Sequence, residues 1–380
     1  MIRCLKNIFQ LGVKELFSLR YDRVMMFLIV YMFSFAVFDE AKNAVVGVIN
    51  AAVAIVDEDR SILSNRISDA LLKPQFKSPV KIELSDIDVA LDSAQYAFII
   101  DIPPDFQADL LAGRPAIIQL NVDATVMSMA GTGTGYIQNI IMNEISTFLN
   151  ADRFNGSGNS QAVKIIVRAR FNPNMEPVWY QGVMSLTNNI TLLAILLAGA
   201  ALIREREHGT IEHLLAMPLR PIEIMLAKIW ANGLVVVLAA SLSLYFVVQG
   251  ALAVPISGSI PLYICGMTIY LFSVTSLGIF LATLARSMPQ FGLLTMLVYV
   301  VMLLLSGGNT PLESMPEELQ VMMQFVPSTH FVSLAQAIIF RNAGIEIVWP
   351  SFVAIILIGA ALFFAALIRF RKTVTLVHEY

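Results

Sequence analysis

The sequence predicts an all-α membrane protein of six transmembrane helices, with an extracytoplasmic α/β domain inserted between helices 1 and 2. Three observations carry this. The 380 residues are 57% hydrophobic and only 14% charged, with a mean hydropathy of +0.72, whereas a soluble domain carries about 25% charged residues. So few charges do not coat that much apolar surface, and lipid must cover part of it. Six apolar stretches, near 23–38, 183–203, 224–248, 261–285, 291–307 and 350–368, are long enough to cross a hydrocarbon layer of roughly 30 Å. Finally, the basic residues cluster on one side of a six-span chain.

That asymmetry sets the orientation. Arg3, Lys6, Lys14, Arg20 and Arg23 precede the first stretch, and Arg204, Arg206, Arg220 and Lys228 lie between the second and third. Arg286 separates the fourth from the fifth, and Arg369, Arg371 and Lys372 follow the sixth. The loop at 249–260 has no Lys or Arg, and 309–348 has only Arg341. Cytoplasmic loops carry the excess of Lys and Arg, and long domains translocate regardless of their charge. Both termini are therefore expected in the cytoplasm and residues 39–182 outside.

The expected division is 1–38, an interfacial helix with the first span; 39–182, the inserted domain; and 183–380, spans two to six. The last part includes a cytoplasmic loop at 204–222 and external helices at 309–348. In the first part, Leu5, Ile8, Gly12, Leu16 and Leu19 recur at helical spacing, with Lys6, Gln10 and Lys14 elsewhere on the wheel. This is the pattern of a helix lying in the membrane interface; the alternative is a cytoplasmic extension of span one. The long basic lead and the Phe38-Asp39-Glu40 exit describe a retained anchor, not a cleaved signal peptide. Span one is short from Val24 to Phe38, so it borrows the next segment or thins the bilayer.

The insertion holds 17 Asp/Glu against 11 Lys/Arg between 39 and 182, and the remainder 11 against 14. An acidic domain excludes a nucleic-acid partner, which wants a basic surface. Val53–Asp57 is a short apolar run, Ser61–Leu72 has helical spacing, and Tyr96–Asp101 reads as a strand. Pro103-Pro104 opens a helix at 104–111 stopped by Gly113, Ala116–Val122 is another strand, 136–149 is helical, and 152–160 is a flexible loop. Gly131, Gly133 and Gly135 read as a flexible strand-to-helix turn; their spacing is not the G-x-G-x-x-G of a dinucleotide site.

No catalytic, cofactor or metal constellation is expected, so the chain is read as no enzyme. Cys4 and Cys265 are isolated thiols. His208 and His213 are five apart, not the i, i+4 of a helix-borne zinc pair, and His330 and His378 have no partners in sequence. No span carries a charge near its middle, as ion-coupled carriers usually do. There is no G-x-x-x-x-G-K-[ST], so energy for any transport comes from a separate subunit. Thr187, Asn188, Asn189, Thr191, Asn232, Ser241, Ser243 and Gln249 either bond between helices or line a path.

The most informative segment runs from Arg204 to Lys228. Span two ends in a charge cluster, and Gly209 breaks the helix. Thr210 caps a short helix carrying Ile211, Leu214 and Leu215 on one side; Pro218 ends it, and Pro221 opens the next. A short helix pinned at both ends passes force from a partner into two spans. A capped interfacial loop with no partner fits the same residues.

Here the sequence resembles the ABC-2 type permeases. Their loop reads approximately E-x-E-x-G-T-x-E-x-L-L-x-x-P, then P-x-E-I and Gly-Lys. This chain supplies Glu205, Glu207, Gly209, Thr210, Glu212, Leu214, Leu215, Pro218, Pro221, Glu223, Ile224 and Lys228, and departs at Ala227, where the family has Gly. A second match runs from Leu305-Ser306-Gly307 through Pro311 to Pro316, then Pro327 to Phe331 and Ala343-Gly344. There Ser314 and Glu317 make a capping box, Pro327 ends that helix, and Ser328 or Thr329 caps another. Asp22-Arg23 and Val53–Asp57 extend the resemblance to most of the chain.

The resemblance implies a permease subunit of an ATP-driven exporter in the bacterial inner membrane, of the multidrug type with a large periplasmic insertion. ATP and Mg are then bound by partner ABC ATPase subunits, which grip a coupling loop of Glu205, Arg206, Glu207, Gly209, Thr210, Glu212, Leu214, Leu215 and Pro218. A second permease subunit, alike or closely related, is implied, with spans one and five near the twofold axis. The small residues Gly292, Ser306, Gly307 and Gly308 allow close approach there. A membrane-fusion adaptor and an outer-membrane channel often accompany such members. Two other classes fit the sequence less well. A receptor or secretion scaffold acting through its external domain has no need of an ATPase socket, and a Na⁺-coupled carrier calls for paired broken helices that this sequence lacks.

Overall fold

A computed structural model describes residues 2–43, 50–71, 75–93, 95–123, 127–152, 164–170, 177–207, 209 and 219–377. The chain divides into two compact units. One comprises Met1–Asn43, Gly182–Asn309 and Val321–Tyr380; the other comprises Ala44–Gln181 with Thr310–Gln320.

The first unit is helical. An N-terminal helix, α1 (Ile2–Tyr21), precedes α2 (Arg23–Asn43), the first of six helices long and apolar enough to span a membrane. The others are α7 (Pro177–Glu207), α8 (Pro221–Ala251), α9 (Ile260–Leu284), α10 (Met288–Leu305) and α13 (Ile345–Val377). Span one reaches beyond Phe38 to Asn43, through a π-helical turn at Met32–Ala36. A π turn displaces the carbonyl ladder, and the Met32 carbonyl accepts a hydrogen bond from Asn189 Nδ2 of α7 at 2.9 Å. Thr191 of α7 likewise shares a bond of 2.7 Å with the Tyr270 hydroxyl of α9. These two polar side chains bond between helices. α1 turns inward the face its spacing predicts, with Ile8 and Leu16 half-buried, except at its start. Gly12 and Leu19 are buried, but Leu5 is 61% exposed, because α1 lies on α8 through its Ile8–Gly12 turn.

The second unit is α/β. Its five-stranded sheet has the order β2-β1-β3-β4-β5, built from β1 (Val53–Asp57), β2 (Val80–Lys81), β3 (Phe98–Ile102), β4 (Ile117–Asp123) and β5 (Lys164–Arg170). β1 is parallel to β2 and β3, β3 antiparallel to β4, and β4 parallel to β5. α3 (Ile62–Ala70) starts where Ser61 Oγ accepts from the Ser64 N–H at 3.0 Å. α4 (Ile87–Asp92) packs Ile87, Ala90 and Leu91 on Ala54, Val56 and Ile99. α5 (Phe106–Leu111) stops before Gly113, whose φ of +71° suits glycine.

Three expectations need correction here. Gly131, Gly133 and Gly135 do not form a turn; they lie inside α6 (Met127–Asp152). A helical glycine costs about 1 kcal/mol, but at Gly133 a side chain would run into the Phe98 ring, so close packing explains it. In the 309–348 segment, Ser314 closes a 3₁₀ turn, and α11 (Glu317–Met323) opens on the Pro316 carbonyl instead. Pro327 begins α12 (Pro327–Ile339) at its first position rather than ending α11, since its fixed φ and missing N–H suit a helix start. The 152–160 loop lies outside the described residues, apart from Asp152 in α6.

Candidate functional site

α7 ends in Arg204-Glu205-Arg206-Glu207. Successive helical residues point about 100° apart, so four charges in a row fan around the axis. α7 is enclosed by its own chain, with 83% of its most apolar stretch buried. Each of the four therefore meets a different neighbour.

Arg204 donates to Asp22 Oδ2 at 2.6 Å. Asp22 also caps α2, its Oδ1 accepting from the Met25 N–H at 3.1 Å. Partial burial pushes the Asp22 carboxyl up, but the Met25 N–H and the Arg204 guanidinium outweigh it and hold the group below the usual carboxylate range. Glu205 meets Lys228 of α8 at 2.8 Å and Lys14 of α1 at 3.8 Å. Lys228 also meets Glu15 of α1 at 2.8 Å, and its side chain is 2% exposed. Two cations and two anions thus form a neutral, largely buried knot, the arrangement under which buried charge is tolerable.

Arg206 donates to the Ala285 carbonyl at 3.0 Å and the Ala282 carbonyl at 3.4 Å, at the C-terminal end of α9. Glu207 accepts the Met288 N–H at 2.8 Å, at the N-terminal end of α10. A cation at a helix C-terminus and an anion at an N-terminus each oppose the local helix dipole favourably. One turn of α7 therefore binds α2, α9 and α10 at their ends and α1 and α8 within their lengths. Gly209 follows with φ +68°, its N–H on the Arg206 carbonyl at 3.2 Å. Among the described residues nothing lies within 4 Å of where its side chain would be, and the left-handed backbone is what demands glycine.

Thr210, Glu212, Leu214, Leu215 and Pro218 lie outside the described residues, as do His208 and His213. The chain resumes at the start of α8, where Arg220 caps and Pro221 takes the first position. Glu223 accepts the Arg220 N–H and Asn7 Nδ2 of α1, both at 3.2 Å. Cys4 also donates to Glu223, and this bond, with slight desolvation, raises its thiol above the ordinary range. Further along, Trp230 stacks on Phe9, ring centres 5.8 Å apart and planes 2° apart, and its Nε1 donates to the Ile8 carbonyl at 3.1 Å.

The small residues of span five are dispersed. Gly292 lies on the exposed face of α10, with Leu293, Met296 and Leu297. Ser306 is buried past the helix end, Gly307 has φ +93°, and Gly308 is close to Met184 and Val332. Sequence reasoning missed Lys14, Glu15 and Asp22 as members of the α7 root. Their partners lie 182 to 213 residues away, and no local spacing marks them.

The matches to known proteins agree in kind. Residues 24–368 match the model of an "ABC-2 family transporter protein" family. The chain is 54% identical to the "Inner membrane transport permease YhhJ" of Escherichia coli K12, over 98% of this chain and 99% of that one. It is 28% identical to "Probable multidrug ABC transporter permease YbhR" of the same organism, over 87% and 89%. It is 23% identical to "Probable multidrug ABC transporter permease YbhS", over 76% of each.

Proposed function

This chain belongs to the ABC-2 transporter family, as a multi-pass permease of the inner membrane type, and on that premise we propose that it couples ATP hydrolysis in a separate ATPase subunit to export. The observation that carries the proposal is the root of α7. The 208–220 connection joins α7 to α8, and its two ends are locked by charge to α1, α2, α9 and α10. A push on this connection moves an element already tied to five others. The loop is therefore where a cytoplasmic ATPase has the most leverage. This is also where the family resemblance puts the ATPase socket.

Within the proposal, both termini lie in the cytoplasm and residues 39–182 outside. ATP and Mg bind the partner. Two permease chains pair through α2 and α10, whose outward faces are the least covered by their own chain, 28% and 17% buried over their most apolar stretches. A multidrug-type substrate follows from the names of the two more distant relatives. A membrane-fusion adaptor and an outer-membrane channel would extend the route outward from the 39–182 domain.

The test is Gly209→Val, which strains the left-handed turn. Membrane abundance, ATPase co-purification and transport are measured on the same samples. Normal abundance with lost ATPase binding, or with hydrolysis uncoupled from export, supports the proposal. Normal binding and normal export would remove the loop as the socket.

A further inference from the structure

Between α8 and α9 runs an apolar groove of about 400 Å³ that the root of α7 does not use. Trp230, Gly233 and Val237 line one side, and Thr268, Leu271 and Phe272 the other. Both helices are membrane spans. The groove exists because Gly233 has no side chain: no atom lies within 4 Å of where its Cβ would be, although the residue is buried. Thr268 adds little polarity, since its hydroxyl is bonded to the Ile264 carbonyl at 2.8 Å. Leu234 and Thr268 are exposed at the rim, so the groove opens sideways out of the helix bundle.

One wall is fixed. Trp230 is held by its bond to Ile8 and its stack on Phe9, and Gly12 lies against its ring. The side chain is thus ordered before anything binds, which lowers the entropic cost of binding. Beyond the wall the surface turns cationic. Lys6 stands one turn before Phe9 on the same face of α1, and both are exposed. Arg3 is exposed on the preceding turn.

We propose that this groove seats one acyl chain of an anionic phospholipid from the leaflet bordered by α1, with the headgroup phosphate at Lys6. The charge pattern argues for the lipid: an apolar slot within the span ends at a rigid Trp, the residue type that sits at headgroup level, and a cation follows. Shape argues against a second copy of this chain. A helix is about 10 Å across, too wide for a slot floored by one glycine, whereas a single hydrocarbon chain is thin enough. The inference does not depend on the transport reading.

The experiment is native mass spectrometry of the full-length chain, after exchange into vesicles containing equal phosphatidylglycerol and phosphatidylethanolamine and release into mild detergent. The wild type is expected to retain a phospholipid, with phosphatidylglycerol preferred. Gly233→Leu fills the floor and is expected to lower retention roughly tenfold, the loss of about 1.4 kcal/mol of affinity. Thr268→Phe blocks the groove from the facing helix and should do the same, which guards against a folding defect peculiar to one variant. Lys6→Gln leaves the groove intact; retention should persist while the anionic preference disappears. Equal retention by wild type and both blocked variants overturns the proposal. So does an unchanged preference in Lys6→Gln, or recovery of a non-lipid molecule in place of the phospholipid.

Discussion

Over their most apolar stretches α7 and α10 are comparably apolar, yet the chain buries 83% of that stretch in one and 17% in the other. Apolarity alone therefore does not say which span is core. Polar and small residues do. α7 carries Ser185, Thr187, Asn188, Asn189 and Thr191, all buried. It ends in four charges, each with a neighbour. In lipid there is no hydrophobic drive between helices, so packing, hydrogen bonds and close backbone approach must hold them. α10 has few such groups. Its Phe291 packs against Gly199 of α7 and its Met288 N–H is held by Glu207, while Leu293, Met296, Leu297 and Leu304 face outward.

The difference can be broken most forcefully at the α7 root. Lys228→Met keeps length and removes the cation between Glu15 and Glu205. Two carboxylates then face each other with Lys14 alone, and the expected loss is about 3–5 kcal/mol, the cost of breaking a buried ion pair from one side. Unfolding in graded denaturing detergent reads it. Adding Glu205→Gln to Lys228→Met should recover part of the loss, since the stranded charge goes too. A wild-type unfolding midpoint for Lys228→Met would mean that the knot is not a structural anchor.

A smaller effect separates the glycines. Gly278 of α9 faces α7 so closely that a side-chain carbon there would stand 2.6 Å from the Ile195 carbonyl oxygen. Gly278→Val should destabilise by about 1–3 kcal/mol through overpacking. Gly292 of α10 has open space around it. Gly292→Ala should leave stability unchanged or raise it by up to about 1 kcal/mol, because alanine is the better helix former. Equal losses at both positions would dissolve the distinction between an enclosed span and an open one.

How much of this was legible in sequence depends on the range of the signal. The six spans, the start of α8 at Pro221 and the helix break at Gly209 come from local patterns of apolarity, proline and glycine, and the structure has them at those places. Contacts at helix ends were less legible. Arg204 to Glu207 read as the charge cluster that ends span two, and they form the last turn of α7, but nothing local showed that Glu205 bonds to α8 and Glu207 to α10. The pairs Asp22–Arg204 and Glu15–Lys228 join residues 182 and 213 apart, so only the fold brings them together. The glycine run at 131–135 was misread for the same reason: the Phe98 ring that makes Gly133 necessary lies on a strand well before it.

The smallest expected effect is on the outer face of α10. Leu297 is 66% exposed, so its side chain touches little of its own chain. Truncating a buried leucine costs about 2–5 kcal/mol, largely through the cavity it leaves. At Leu297 no cavity forms inside the chain, and lipid tails replace the lost contacts with equally apolar ones. Leu297→Ala should therefore change the unfolding midpoint of a single chain by less than about 0.5 kcal/mol. The same residue reports on pairing. A Leu297→Cys chain should form a disulfide with a second copy if α10 lies near the twofold axis, because the two thiols then approach within bonding distance in the assembled permease. A large loss of single-chain stability on truncation would show that α10 is packed by its own chain after all. Normal stability with no cross-link from Leu297→Cys, and ready cross-linking from a cysteine at Leu357 on α13, which is 65% exposed, would move the pairing surface to span six.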